Sequence, residues 1–297
     1  MTRKICILFL LPLLLDCSKH DNKQVDILKL NNDEENDMYY ELNGFVLNEL
    51  LLSKKEDEAF RLIKNNEKRF KMRDYAVAGD VLLRNNYIDQ SIYYLNIAAN
   101  MGDGEALGRL GEIYYTNVKY KNIDKAIYYF DKSISKNYVS SAVFMASIYL
   151  DEEGYVDLNK SIYYSDYAIS KKDDLAYYYK GSALAEKGEY ELAVENFNEI
   201  NIVKHPEYHD LAFAKLYAYY KNYSSYNPRK AKKIFEDIFK YSNVAEKYSW
   251  LGDFYMMDHE YHDEKKAYEL YSKGVEEGDA YSKEAMKDWK RDKVKNK

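Results

Sequence analysis

The sequence predicts an all-α fold, a right-handed superhelical solenoid of about seven antiparallel helix pairs. Three observations carry that expectation. First, a phrase repeats: Ser91-Ile92-Tyr93-Tyr94 returns as Ala126-Ile127-Tyr128-Tyr129 and as Ser161-Ile162-Tyr163-Tyr164, 35 residues apart each time. A fixed period of roughly 20–50 residues marks similar units stacked along one axis. Second, apolar residues recur at three- and four-residue steps, as in Leu107, Leu110, Ile113 and Tyr114. That is one face of a helix, not the alternation of a strand. Third, small residues come in pairs at regular intervals.

The small residue opening each phrase falls on Ala59, Ser91, Ala126, Ser161, Ala193, Ala231 and Ala267. A second one precedes it by 15 positions at Gly44, Gly111, Ala146 and Gly252, and by 12 at Gly79 and Gly181. Two helices approach closely only where side chains are small, so each pair marks a crossing. A glycine inside a helix costs about 1 kcal/mol relative to alanine, and close packing is the reason to accept that cost. The sixth unit breaks the pattern with Leu216, which predicts a wider crossing and a bend there. The turns between helices are polar, at residues 117–122, 151–157 and 222–227. Pro228 suits the first turn of a helix, with Asn227 before it as a cap, and Pro206 also falls between helical stretches. A capping helix near residues 282–291 closes an array that spans residues 38–290, and a basic tail, 291–297, follows.

The run Leu184-Ala185-Glu186-Lys187-Gly188-Glu189-Tyr190-Glu191-Leu192-Ala193 resembles the turn of a tetratricopeptide repeat, as does Leu82 to Ser91. The units with the longer step resemble Sel-like repeats, whose pattern runs from a leucine-glycine pair through a tyrosine to a lysine-alanine pair. Leu110-Gly111, Tyr114 and Lys125-Ala126 match it, and so do Leu251-Gly252, Tyr255 and Lys266-Ala267. The glycine-rich turn of that family is mostly absent, with only Gly154-Tyr155-Val156-Asp157 approaching it. The array therefore reads as mixed. The resemblance implies a surface that holds other proteins.

Residues 1–17 read as a secretory leader. Arg3 and Lys4 precede an apolar run from Ile5 to Leu15, too short for a bilayer span of about 20 residues. The leader stops at Leu14-Leu15-Asp16-Cys17, before the polar stretch Ser18 to Gln24. This resembles a bacterial lipoprotein signal, which implies lipidation of Cys17. Asp16 departs from the small residue the family places there. Residues 18–37 would then be a flexible tether with a reach of roughly 25 Å. The resemblance places the array at the cell envelope, lipid-anchored to a bacterial membrane, or secreted if lipidation fails. Beyond Cys6 and Cys17 the chain has no cysteine, so stacked helices, not disulfides, must stabilise it.

The chain holds 34 tyrosines in 297 residues. Most fit helix-packing positions, where tyrosine substitutes for leucine or phenylalanine. Tyr115, Tyr178 and Tyr220 fall off the packing face of first helices and are expected to line a concave surface that grips a peptide. The net charge of −6, with both signs well mixed, argues against nucleic acid, which needs a basic stripe. Catalytic patterns are few. His205 and His209 are separated by Pro206, and His259 and His262 have the wrong spacing for two metal ligands on one helical face. Neither a metal nor a cofactor is expected. The leading expectation is a non-catalytic, envelope-anchored adaptor for an envelope or secreted protein or peptide. Two alternatives are a cell-wall glycan-acting enzyme, with a carboxylate in the groove, and a self-assembling structural envelope protein.

Overall fold

The computed structural model describes residues 44–295, which form a single unit. The leader, the tether and Cys17 lie outside the described residues. Within them the fold is all helical. The elements are α1 (Gly44–Leu52), α2 (Glu56–Asn66), α3 (Met72–Arg84), α4 (Ile88–Asn100), α5 (Gly104–Thr116), α6 (Ile123–Ser135), α7 (Ser140–Asp151) and α8 (Leu158–Ser170). They continue as α9 (Ala176–Glu186), α10 (Tyr190–Asn198), α11 (Pro206–Tyr219), α12 (Pro228–Tyr241), α13 (Lys247–Met256), α14 (Glu264–Glu276) and α15 (Ala280–Lys295). These are seven helix pairs followed by a single closing helix. α15 runs further than the sequence reading allowed, through most of the expected tail. Residues 291–295 contain neither glycine nor proline to stop it.

Each first helix packs against its own second helix, and successive first helices touch one another. Successive second helices make no comparable contact. The first helices are thus the inner layer of the solenoid and the second helices the outer one. The inner layer loosens at one step, between α11 and α13.

The paired small residues do meet. A Cβ added to Gly79, Gly111 or Gly252 would stand 2.6 Å from Leu95, Phe130 or Tyr271, and one on Gly181 would collide with the Phe197 ring. The large residue always lies four positions after the small one of the second helix. Ser91 adds a hydrogen bond, its hydroxyl donating to the Gly79 carbonyl at 2.8 Å, and Ser161 does the same to Ala146 at 2.8 Å. In the fourth pair Ala146 stands in place of glycine, and the equivalent large position is Ser165, which compensates in volume. The Ser165 hydroxyl is buried without a hydrogen-bond partner. Ser165→Ala is therefore expected to be neutral or stabilising by up to about 1 kcal/mol, read from urea unfolding.

The loop chemistry separates two kinds of unit and corrects two expectations. In the third, fourth, sixth and seventh pairs, the N–H of the residue capping the second helix returns to a tyrosine carbonyl of the first. These bonds run from Asn122 to Tyr114, Asp157 to Tyr149, Asn227 to Tyr217 and Asp263 to Tyr255, at 2.7–2.8 Å. Each capping side chain also accepts from a lysine N–H three residues on. That lysine lays its ammonium over the same tyrosine ring: Lys125 on Tyr114, Lys160 on Tyr149, Lys230 on Tyr217 and Lys266 on Tyr255, at 4.0–4.9 Å. The tyrosine and lysine of the Sel-like pattern are therefore a cation–π clamp that closes the loop. Asp157→Ala is expected to cost about 1 kcal/mol through loss of the cap, again measured by denaturant.

Counting back from that hydrogen bond moves the crossing of the sixth pair. Its loop is two residues longer, so Ala214, not Leu216, occupies the position of Gly111. Ala214 is fully buried, and the wider crossing expected from Leu216 gives way to a small residue in place. The first, second and fifth pairs use a shorter turn with a left-handed residue, Lys54, Asn86 or Gly188. In the first pair this places fully buried Leu47 at the crossing with Ala59, while Gly44 faces Val77 of α3 instead.

The repeated phrase also divides its two tyrosines. Tyr94, Tyr129 and Tyr164 stack on Tyr75, Tyr114 and Tyr149 of the paired helix, with centroids 6.3, 5.5 and 5.8 Å apart. Tyr93, Tyr128 and Tyr163 are exposed on the outer layer.

Candidate functional site: the inner face

Most first helices are buried on much of their circumference, because they meet their partner and, except at the step from α11 to α13, the neighbouring first helices. Two of the three expected groove tyrosines are therefore not free. Tyr115 on α5 and Tyr178 on α9 are buried. The Tyr115 hydroxyl bonds Ser147 of α7 at 3.1 Å. The Tyr178 hydroxyl accepts from the Lys215 ammonium of α11 at 3.1 Å. Tyr220, just after α11, is half-buried and donates to Glu186 of α9 at 2.7 Å. All three stitch neighbouring first helices together; for buried Tyr115 and Tyr178 the expected role as a freely exposed gripping surface is corrected to one of bridging the inner layer, while Tyr220 stays partly open to solvent.

The bridges continue along the array. Tyr208 of α11 meets the Tyr178 ring edge-on at 5.2 Å and the Trp250 ring of α13 at 6.0 Å. Tyr281, in the first turn of α15, is exposed and lies close enough to Tyr115 for the two hydroxyls to influence each other's ionisation. It also lies within electrostatic reach of Asp151, Tyr208 and Tyr178. The last helix and the third pair thus face each other across the concavity.

Charged groups converge on the same place. Lys215 lies half-buried among Tyr178, Asp151 of α7 and Asp253 of α13. Burial works against its ammonium, but Tyr178, Asp151 and Asp253 outweigh it and hold its pKa above the ordinary lysine value. Asp151 and Asp253 are pushed above the usual carboxylate range, chiefly by desolvation. Lys215 opposes that shift at both, Glu152 and Glu186 add to it at Asp151, and Asp279 adds to it at Asp253, where the Tyr271 hydroxyl also stabilises the ionised form. Burial raises the Tyr208 pKa to about 12, so it stays protonated and able to donate.

The raised carboxylates have a consequence for stability. Their native pKa lies above the unfolded one, so the folded state binds their protons more tightly. Their contribution favours folding in acid and is lost as the pH rises through the native pKa. Asp151→Asn is expected to leave stability unchanged in acid and to raise it near pH 7, as thermal unfolding across pH would show.

In the sequence Asp151 opens the polar turn 151–157, and no motif singles out Lys215, Asp253 or Tyr281. One signal was available: Asp151 and Glu186 lie 35 residues apart, the repeat period, each ending a first helix. His205 caps α11 beside Asp174 at 3.5 Å, and His259 packs on Phe254 with centroids 4.3 Å apart. Among the described residues no three His, Cys, Asp or Glu converge as a metal-binding set, and no helix is long and apolar enough to cross a membrane.

No protein-family model and no curated protein matches the sequence. Solved structures do resemble this one. A Sel1 repeat protein from Oxalobacter formigenes has 17% identity and a TM-score of 0.51, covering 79% of this chain and 99% of its own. A protective antigen present in uropathogenic Escherichia coli strains, displaying an SLR fold, has 15% identity and a TM-score of 0.46, covering 80% of this chain. This chain spans 54% of that antigen's length. A Sel1 repeat protein from Klebsiella pneumoniae has 15% identity and a TM-score of 0.38, covering 72% of this chain and 90% of its own. The Oxalobacter likeness is one of fold: this chain is a helical solenoid whose fold resembles that of a Sel1 repeat protein.

Proposed function

We propose that the protein is a non-catalytic interaction scaffold, anchored at the bacterial cell envelope, whose inner face holds a segment of another envelope or secreted protein. One observation carries this reading. Tyrosines and carboxylates from α5 to α15 join into one inner surface, bridged from helix to helix. Extended concave surfaces of this kind are what solenoids use to bind partners. Tyrosine supports it further, being large, rigid and amphipathic at interfaces. The Sel1-repeat fold agrees with a scaffold.

The test is affinity capture from envelope extract with the native chain as bait and a Tyr281→Ala variant beside it. Tyr281 is exposed, so its loss leaves the core intact. One protein retained by the native chain and lost with the variant is the expected result. Turnover of cell-wall glycan by the purified protein would contradict the scaffold reading.

The anchor rests on Leu14-Leu15-Asp16-Cys17 and the leader before it. Metabolic labelling with an alkyne fatty acid is expected to mark the wild-type chain and to fail with Cys17→Ala. Equal labelling of both would remove Cys17 as the attachment point.

A further inference from the structure

Resting on the scaffold reading, we infer that the segment held by the inner face is an extended, cationic peptide. The argument is charge complementarity at the surface described above. Asp151, Glu186 and Asp253 are exposed and have no ion pair within 4.0 Å. Neighbouring loop lysines are engaged elsewhere: Lys121 with Glu152 at 3.0 Å, Lys187 with Glu189 at 3.2 Å and Lys221 with Asp258 at 3.0 Å. Lys215 is the ammonium that Asp151 and Asp253 share with the tyrosine cluster. None of the five first helices from α5 to α13 has a basic residue in its last turn. Their own last turns therefore contribute no cation to offset the partial negative charge of their carbonyl ends.

The chain itself shows how this face holds a cation. Lys215 donates to the Tyr178 hydroxyl at 3.1 Å, stands 5.9 Å from the centre of that ring, and has Asp151 and Asp253 as counter-charges. A lysine or arginine from a partner would find the same elements repeated: a tyrosine hydroxyl or ring, and a carboxylate. Tyr220 with Glu186 presents such a pair, at 2.7 Å. A guest cation also counters the desolvation that raises the Asp151 and Asp253 pKa values.

The test is fluorescence anisotropy of the full chain with three labelled dodecapeptides, in which serine alternates with lysine, glutamine or glutamate. Two charge-matched variants are compared. The inner one carries Asp151→Asn, Glu186→Gln and Asp253→Asn. The outer one carries Asp131→Asn, Glu195→Gln and Glu269→Gln, all exposed on second helices. Preferred binding of the lysine peptide, weakened at least tenfold by the inner variant and less than twofold by the outer one, is expected. Equal weakening by both variants would mean that net charge alone attracts the peptide, and would overturn the inference. So would failure of the lysine peptide to bind at all. Equal binding of the lysine and glutamine peptides, lost with Tyr281→Ala, would overturn the cationic preference while leaving the scaffold reading standing. Circular dichroism confirms the fold of each variant, and the inner one is expected to melt no lower than wild type.

Discussion

Phe197→Ala is expected to lower the unfolding free energy by about 3–5 kcal/mol, the range for deleting a buried aromatic ring. The ring is almost wholly buried and fills the crossing of α9 and α10 against Gly181. Gly181→Ala is expected to cost less, about 1–3 kcal/mol from overpacking, offset by about 1 kcal/mol of helix propensity. The double variant carries the diagnostic sign. A methyl group on residue 181 enters space that Phe197 has vacated, so Gly181→Ala should be less harmful, or stabilising, when Phe197 is already alanine. The fourth pair already combines alanine and serine at the equivalent places, Ala146 and Ser165. A denaturant series on the four proteins of this cycle measures the coupling. Strict additivity would mean that residues 181 and 197 do not share one space.

Tyr178→Ala is expected to be comparably severe, again about 3–5 kcal/mol. Its ring is buried between α9 and α11, meets Tyr179 and Tyr208 edge-on, and its hydroxyl receives Lys215. Tyr178→Phe keeps the ring contacts and loses only that hydrogen bond, so about 1 kcal/mol is expected. The contrast between the two separates bridging from gripping. A residue that merely touched a partner would tolerate alanine in the free protein. Equal and negligible effects of the two substitutions would return Tyr178 to the role first read from the sequence.

The helix pairs were legible because each crossing demands a small residue, and small residues recur visibly at Ser91, Ala126 and Ser161. The turn type was legible less well. Gly44 looked like a crossing residue because it lies 15 positions before Ala59, but the short turn through Lys54 shifts the register and puts Leu47 there. Leu216 misled for the opposite reason, since two extra loop residues moved the crossing back to Ala214. Spacing alone does not reveal loop length when both neighbouring positions are apolar.

The inner face was the least legible part. Tyr115 and Tyr178 sit off the face that meets their own second helix, which is what helical periodicity detects. The first helices have further buried faces, turned to the units before and after, and these leave no separate periodic mark. α7 shows the effect, burying Ser141, Ala142, Val143, Met145, Ala146, Ser147 and Ile148 nearly all the way round. The meeting of Asp151, Lys215, Asp253 and Tyr281 depends on the curvature of the whole array. Those residues come from α7, α11, α13 and α15, and no local pattern relates them.

The most direct measurement is site-specific photocrosslinking of the full chain in its native envelope. A benzophenone amino acid replaces Tyr281 on the inner face in one strain and Tyr163 on the outer layer in another; both positions are exposed. The account requires a discrete adduct with another protein from position 281 and none from position 163. The same adduct from position 163 alone, or adducts only between copies of this chain, would contradict it.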